Sequence, residues 1–136
     1  MWQWYALIAM ACFAAMQLLF AYVTKKGLAP PVTLLLVFGL GTVLYLLHVR
    51  ATRTPLHLSL PLASWLVVVA ALSYVGNLFS VRAIASAPNP GYAVAVVSVQ
   101  AAVVTLAGIF LLGASFSWVK TAGVVLCCAG IALLVS

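Results

Sequence analysis

Ser73, Asn77 and Ser80 recur at i, i+4 and i+7, a spacing that sets three hydrogen-bonding side chains on one face of a helix. Tyr74 stands beside that face, and Arg82 follows two residues beyond Ser80. Gln17 and Gln100 are isolated amides, each near the middle of an apolar run. These groups can donate and accept hydrogen bonds and, through Arg82, attract an anion. They provide no proton carrier, because no Asp or Glu occurs among the 136 residues. Paired-acid hydrolysis, a Ser-His-Asp triad and carboxylate-held Mg²⁺ or Ca²⁺ are thereby excluded. No nucleophile–base pair is visible, so the chain is not expected to be an enzyme. His48 and His57 flank a basic loop, and Cys12, Cys127 and Cys128 lie inside apolar runs. Thiols so placed serve as small packing residues, and neither a metal nor another cofactor is expected.

The elements that must position these residues are dictated by composition. Hydrophobic residues make up 68% of the chain and charged residues 4%, whereas a soluble domain carries roughly 25% charged residues. Such a chain cannot cover a water-facing surface and is read as an integral membrane protein. Its six Lys and Arg residues give a formal charge of +6, but they are scattered between apolar segments and form no stripe for nucleic acid. Their expected place is at helix ends, among the headgroups. Met1-Trp2-Gln3-Trp4-Tyr5 lacks basic side chains and reads as an interfacial aromatic anchor, not as a cleavable leader.

Crossing some 30 Å of hydrocarbon takes about 20 helical residues. Five segments meet that length, at about 4–23, 31–49, 62–85, 92–112 and 118–135. Thr24-Lys25-Lys26-Gly27, the polar run Arg50 to His57, Pro88-Asn89-Pro90-Gly91 and Gly113 to Ser117 separate them. The segments are continuous apolar runs without strand alternation, so the expected fold is all-α: one bundle of five transmembrane helices forming a single domain over residues 1–136.

Polar side chains at membrane depth tend to face a bundle interior or a wet cavity. Gln17, Ser73, Tyr74, Asn77, Arg82 and Gln100 are therefore the candidate lining of a substrate pathway. The competing reading makes the amides glue between helices and Arg82 an interfacial anchor. In the last span Gly123, Cys127 and Gly130 share one face at i, i+4 and i+7, a surface on which another helix can approach closely, within the monomer or between copies. With five spans, Arg50, Arg53 and Lys120 fall on one side of the membrane and Lys25, Lys26 and Arg82 on the other. Three against three leaves an orientation bias near zero, which suits either insertion both ways up with antiparallel pairing or a small but sufficient bias, set with the help of a partner.

Arg82-Ala83-Ile84-Ala85-Ser86-Ala87-Pro88-Asn89-Pro90-Gly91-Tyr92-Ala93, then Leu111-Leu112-Gly113, then Gly123-Val124-Val125-Leu126-Cys127-Cys128-Ala129-Gly130-Ile131, resembles a single EamA-type unit of the drug/metabolite transporter superfamily across essentially the whole chain. The tail is also similar to that of the small multidrug resistance proteins, whose final helix forms the dimer contact. That likeness implies the same role for Gly123, Leu126, Cys127 and Gly130. The resemblance implies a multi-pass protein of the cell membrane, in a bacterium the inner membrane, that moves small-molecule or lipid-linked metabolites by alternating access in a dimer. The dimer would be a homodimer, parallel or antiparallel, or a pair with a paralogue. The embedded Glu of the multidrug relatives has no counterpart in Cys12 to Gln17, Ala114 stands where EamA units carry an acid, and Val94 and Val97 replace cavity aromatics. Transport coupled to protons through a carboxylate is accordingly not expected, and neutral, zwitterionic or phosphate-bearing solutes suit an acid-free interior. The alternative function is a non-transporting subunit that assembles with a larger membrane complex.

Overall fold

Proline and glycine set most of the boundaries seen in the computed structural model, which describes residues 1–135 apart from the side chains of Lys120, Leu134 and Val135. The helices are α1 (Trp2–Lys25), α2 (Pro30–Ala51), α3 (Leu60–Ser86), α4 (Pro90–Val97), α5 (Gln100–Leu112) and α6 (Trp118–Val135), with no strand among the described residues. α1 ends at Lys26, and Gly27 follows with φ +97°, a conformation that costs a residue without a Cβ least. Pro30 opens α2, where its missing N–H is no loss. α4 begins at a built cap: Asn89 is extended, and its Oδ1 accepts a hydrogen bond from the Gly91 N–H at 2.9 Å, with Pro90 between them. Gly113 in the left-handed conformation closes α5.

The expected fourth helix, about 92–112, is present as two pieces. Ser98 and Val99 interrupt it, and the backbone bonds there tighten: Val99 N–H donates to Val96, Ala101 to Ser98 and Ala102 to Val99, each three residues back. The Ser98 hydroxyl also donates to the Val94 carbonyl at 2.9 Å. β-Branched side chains crowd this turn (Val94, Val96, Val97 and Val99), and a serine bonding back to its own helix loosens the regular ladder further.

Four stretches (Trp2–Lys25, Pro30–Ala51, Leu60–Ser86 and Pro90–Leu112) are long and apolar enough to cross a bilayer, and α6 adds a shorter apolar stretch, Thr121–Leu133. Their surfaces agree with that reading. Phe110, Leu111 and Leu112 are each at least 80% exposed, and every helix has large apolar side chains on its exposed surface. Faces of this kind are stable against lipid and not against water. The chain is a small all-α, multi-pass membrane protein.

Tertiary contacts divide the chain into two compact units, residues 1–86 and 87–136, just before the Pro88–Gly91 breaker, where the sequence predicts a single domain. In the first unit α1, α2 and α3 all touch one another, and the three-helix core sits at one end. Phe20 and Ala21 come from the last quarter of α1, Thr33 and Leu34 from the first turns of α2, Val81 and Ile84 from the last turns of α3. Val81 and Ile84 are 1% exposed. The opposite end is unpacked: residues 2–15 of α1 and 42–48 of α2 are exposed throughout. In the second unit α6 packs on α4 and α5, turning Thr121, Val124, Cys128 and Ile131 inward.

Candidate functional site

The polar residues of the first unit lie just inside its packed end. On α1 the inward row is Gln17, Phe20, Ala21 and Thr24, at i, i+3, i+4 and i+7. On α3 it is Ser73, Asn77, Ser80 and Ile84, so the three-residue polar stripe is continuous with the core. Gln17 precedes Phe20 by three residues and Asn77 precedes Val81 by four, about 4.5 and 6 Å along the helix axes. Phe20 and Val81 belong to one cluster with Leu34, so the two amides share a depth. They stand eight and nine residues from the ends of α1 and α3, about 12–14 Å at the helical rise, close to the middle of a 30 Å hydrocarbon layer.

At this depth each polar atom needs a partner. The Asn77 side-chain amide finds one within its own helix, donating to the Ser73 carbonyl at 2.8 Å and the Ser73 hydroxyl at 3.1 Å. Gln17 Oε1 is buried and accepts no hydrogen bond. Interhelical glue requires a bond from one helix to the next, and neither Asn77's donors nor Gln17's acceptor makes one. The layer is thus a pair of half-buried amides, one spent on its own backbone and one with a free acceptor. It can offer an acceptor and hydroxyls to a hydrogen-bonding solute and has no ionised group to hold a fixed charge.

The other expected pathway residues are placed differently. Tyr74 is exposed and turns toward α2, where with Phe38, Thr42 and Leu78 it lines a groove of about 470 Å³. Arg82 lies on the exposed side of α3, about 140° around the helix from Asn77, with its guanidinium carbon 5.8 Å from the centre of the Phe79 ring. That is a cation–π contact within one helix, on the face away from the amides. Gln100 belongs to the second unit, exposed at the first residue of α5 directly after the Ser98–Val99 interruption.

Two features were not singled out from the sequence. Thr42, which shares the groove with Tyr74, carried no signal beyond being a hydroxyl in an apolar run. The Ser98–Val99 break did carry one, a serine amid four β-branched residues. A groove of about 360 Å³ runs along it, between Ser98, Val99, Ala101 and Ala102 on one side and Gly123, Val124, Cys127 and Cys128 on the other. Gly123 and Cys127 therefore border a groove within the second unit, whereas Leu126 and Gly130 are exposed and do not line it. No group of three or more His, Cys, Asp or Glu side chains able to hold a metal occurs among the described residues.

No protein-family model matches the sequence, and no curated protein or solved structure matches it.

Proposed function

We propose that this chain is a membrane transporter that moves small or lipid-linked metabolites by alternating access, working as a dimer and without a carboxylate proton carrier. The observation that carries the reading is the unsatisfied Gln17 acceptor at mid-membrane depth, level with Asn77 and adjoining a core that closes only one end of the first unit. A buried acceptor without a donor is costly. A site that binds and releases a solute must leave such a group free between cycles. The Phe20–Leu34–Val81 cluster is then the closed gate, and opening it exposes the amide layer to the other side of the membrane.

The exposed Leu126 and Gly130 of α6, with Gly123 and Cys127 beside them, offer a close-packing face for a second copy or a paralogue. The sequence resemblance to a single EamA-type unit supports the same reading, and with it a place in a bacterial inner membrane. An acid-free chain with neutral amides at its centre suits neutral, zwitterionic or phosphate-bearing solutes in preference to cations.

The test is uptake by proteoliposomes of a panel of solutes from those three classes, with an organic cation as the contrast. Uptake of at least one class by the native protein, and its loss in Asn77→Leu with helix content and oligomeric state unchanged, is the expected result. Absence of uptake across the panel, with the protein recovered instead in a stable complex with other membrane proteins, would favour the accessory-subunit function.

A further inference from the structure

A groove of about 550 Å³ runs between α1 and α2 in the first unit. Along α1 it runs from Cys12 through Met16 and Leu19 to Val23, and Leu28 of the connecting loop closes its end. The walls are almost entirely carbon; Thr33 brings a hydroxyl, and that hydroxyl is spent on the Ala29 carbonyl at 3.2 Å. From Cys12 to Val23 the helical rise gives about 16 Å, half of a 30 Å hydrocarbon layer and so the depth of one leaflet. The groove therefore starts near the bilayer middle and ends at one headgroup region.

Lys25 and Lys26 stand at that headgroup end, two and three residues beyond Val23, with Gly27 between Lys26 and Leu28. Both are exposed, and the Lys26 ammonium rests 5.7 Å from the centre of the Tyr22 ring. With no acidic side chain anywhere in the sequence, neither lysine has a carboxylate side chain of its own chain for a counter-ion. At the headgroup level, lipid phosphate is a source of negative charge that such a pair attracts.

We infer that the α1–α2 groove is a binding site for one anionic glycerophospholipid, its acyl chain laid along Cys12–Val23 and its phosphate held at Lys25–Lys26. The length matches one leaflet, the lining matches a hydrocarbon chain, and the paired cations at the open end match an anionic headgroup in preference to a zwitterionic one. The site shares Phe20 with the core cluster beside the Gln17–Asn77 layer, and it depends on the membrane placement of the chain, not on transport.

Full-length protein in phosphatidylcholine vesicles, doped with phosphatidylglycerol bearing a photoactivatable diazirine near the chain terminus, tests this directly. Mass-spectrometric mapping should place the label on Cys12–Met16 and on Leu36–Val37, the deep end of the groove. Lys25→Gln/Lys26→Gln should reduce that labelling at least about fivefold, two cations each contributing to attraction of an anionic headgroup. The same diazirine on phosphatidylcholine should label the groove weakly in native and variant protein alike. Ala15→Leu, which narrows the groove wall, should lower labelling with the lysines intact. Label spread evenly over the exposed faces of all helices, or equal labelling by the two lipids in the native protein, would overturn the inference.

Discussion

Replacing Gln17 by leucine should make the protein more stable and inactive at once. The native side chain holds Oε1 in a buried position with no donor, and a buried acceptor left unmade costs about 1–3 kcal/mol. Gln17 as a whole is only half-buried, so the lower end applies. Hydrogen bonds between helices in membranes average about 0.6 kcal/mol, and Gln17 Oε1 receives none, so leucine forfeits little on that account. Leucine is close in size and unbranched at Cβ, and it keeps the packing row that Gln17 shares with Phe20 and Ala21. The expected gain is about 1 kcal/mol, close to fivefold in the folding equilibrium. SDS-driven unfolding in mixed micelles, followed by far-UV circular dichroism, measures it, with solute uptake measured on the same preparations. A Gln17→Leu protein less stable than the native one by about 1 kcal/mol or more would refute the reasoning. The amide would then be satisfied by a partner and serve as glue, and the argument that a free acceptor is kept for a solute would fail.

Ile84→Ala should destabilise the first unit by about 1–2 kcal/mol in the same unfolding assay. This is less than the 2–5 kcal/mol of a water-soluble core, because lipid solvates an exposed methyl as well as protein does and mainly the lost packing remains. Leu35→Ala, at a side chain 72% exposed on α2, should stay within about 0.5 kcal/mol. Asn89→Ala removes the cap on Gly91 N–H and should cost about 1 kcal/mol, seen as faster amide hydrogen exchange in the first turn of α4. Ser98→Ala together with Val99→Leu should restore four-residue spacing through the interruption, and slower exchange at the Ala101 and Ala102 amides is the readout.

Much of the fold was legible because its signals are local. The absence of carboxylates and the excess of apolar residues place the chain in a membrane regardless of packing, and 20-residue apolar runs then have to be helices because no water is there to satisfy the backbone. Pro30, Pro90, Gly27 and Gly113 mark ends through their own backbone restrictions. The inward face of α3 was legible for a similar reason: Ser73, Asn77 and Ser80 are the polar exceptions on an apolar helix, and membrane burial penalises them anywhere else. The break at Ser98 was within reach of propensity alone but is weak in a segment that hydropathy makes one span.

Composition, helix positions and the polar stripe were thus determined by the sequence itself. The tertiary structure decided which end of the α1–α2–α3 unit is packed, that Tyr74 serves a different groove from Asn77, that Arg82 rests on Phe79 away from the amides, and that Gln17 Oε1 has no donor. The reason lies in the solvent. In water, the buried face of a helix is apolar and the exposed face polar, so periodicity reports on packing. In lipid both faces are apolar, as Leu35 on the outside and Leu34 in the core illustrate, neighbours in sequence and identical in chemistry. What separates them is the shape of the opposing helices, which only the folded chain contains.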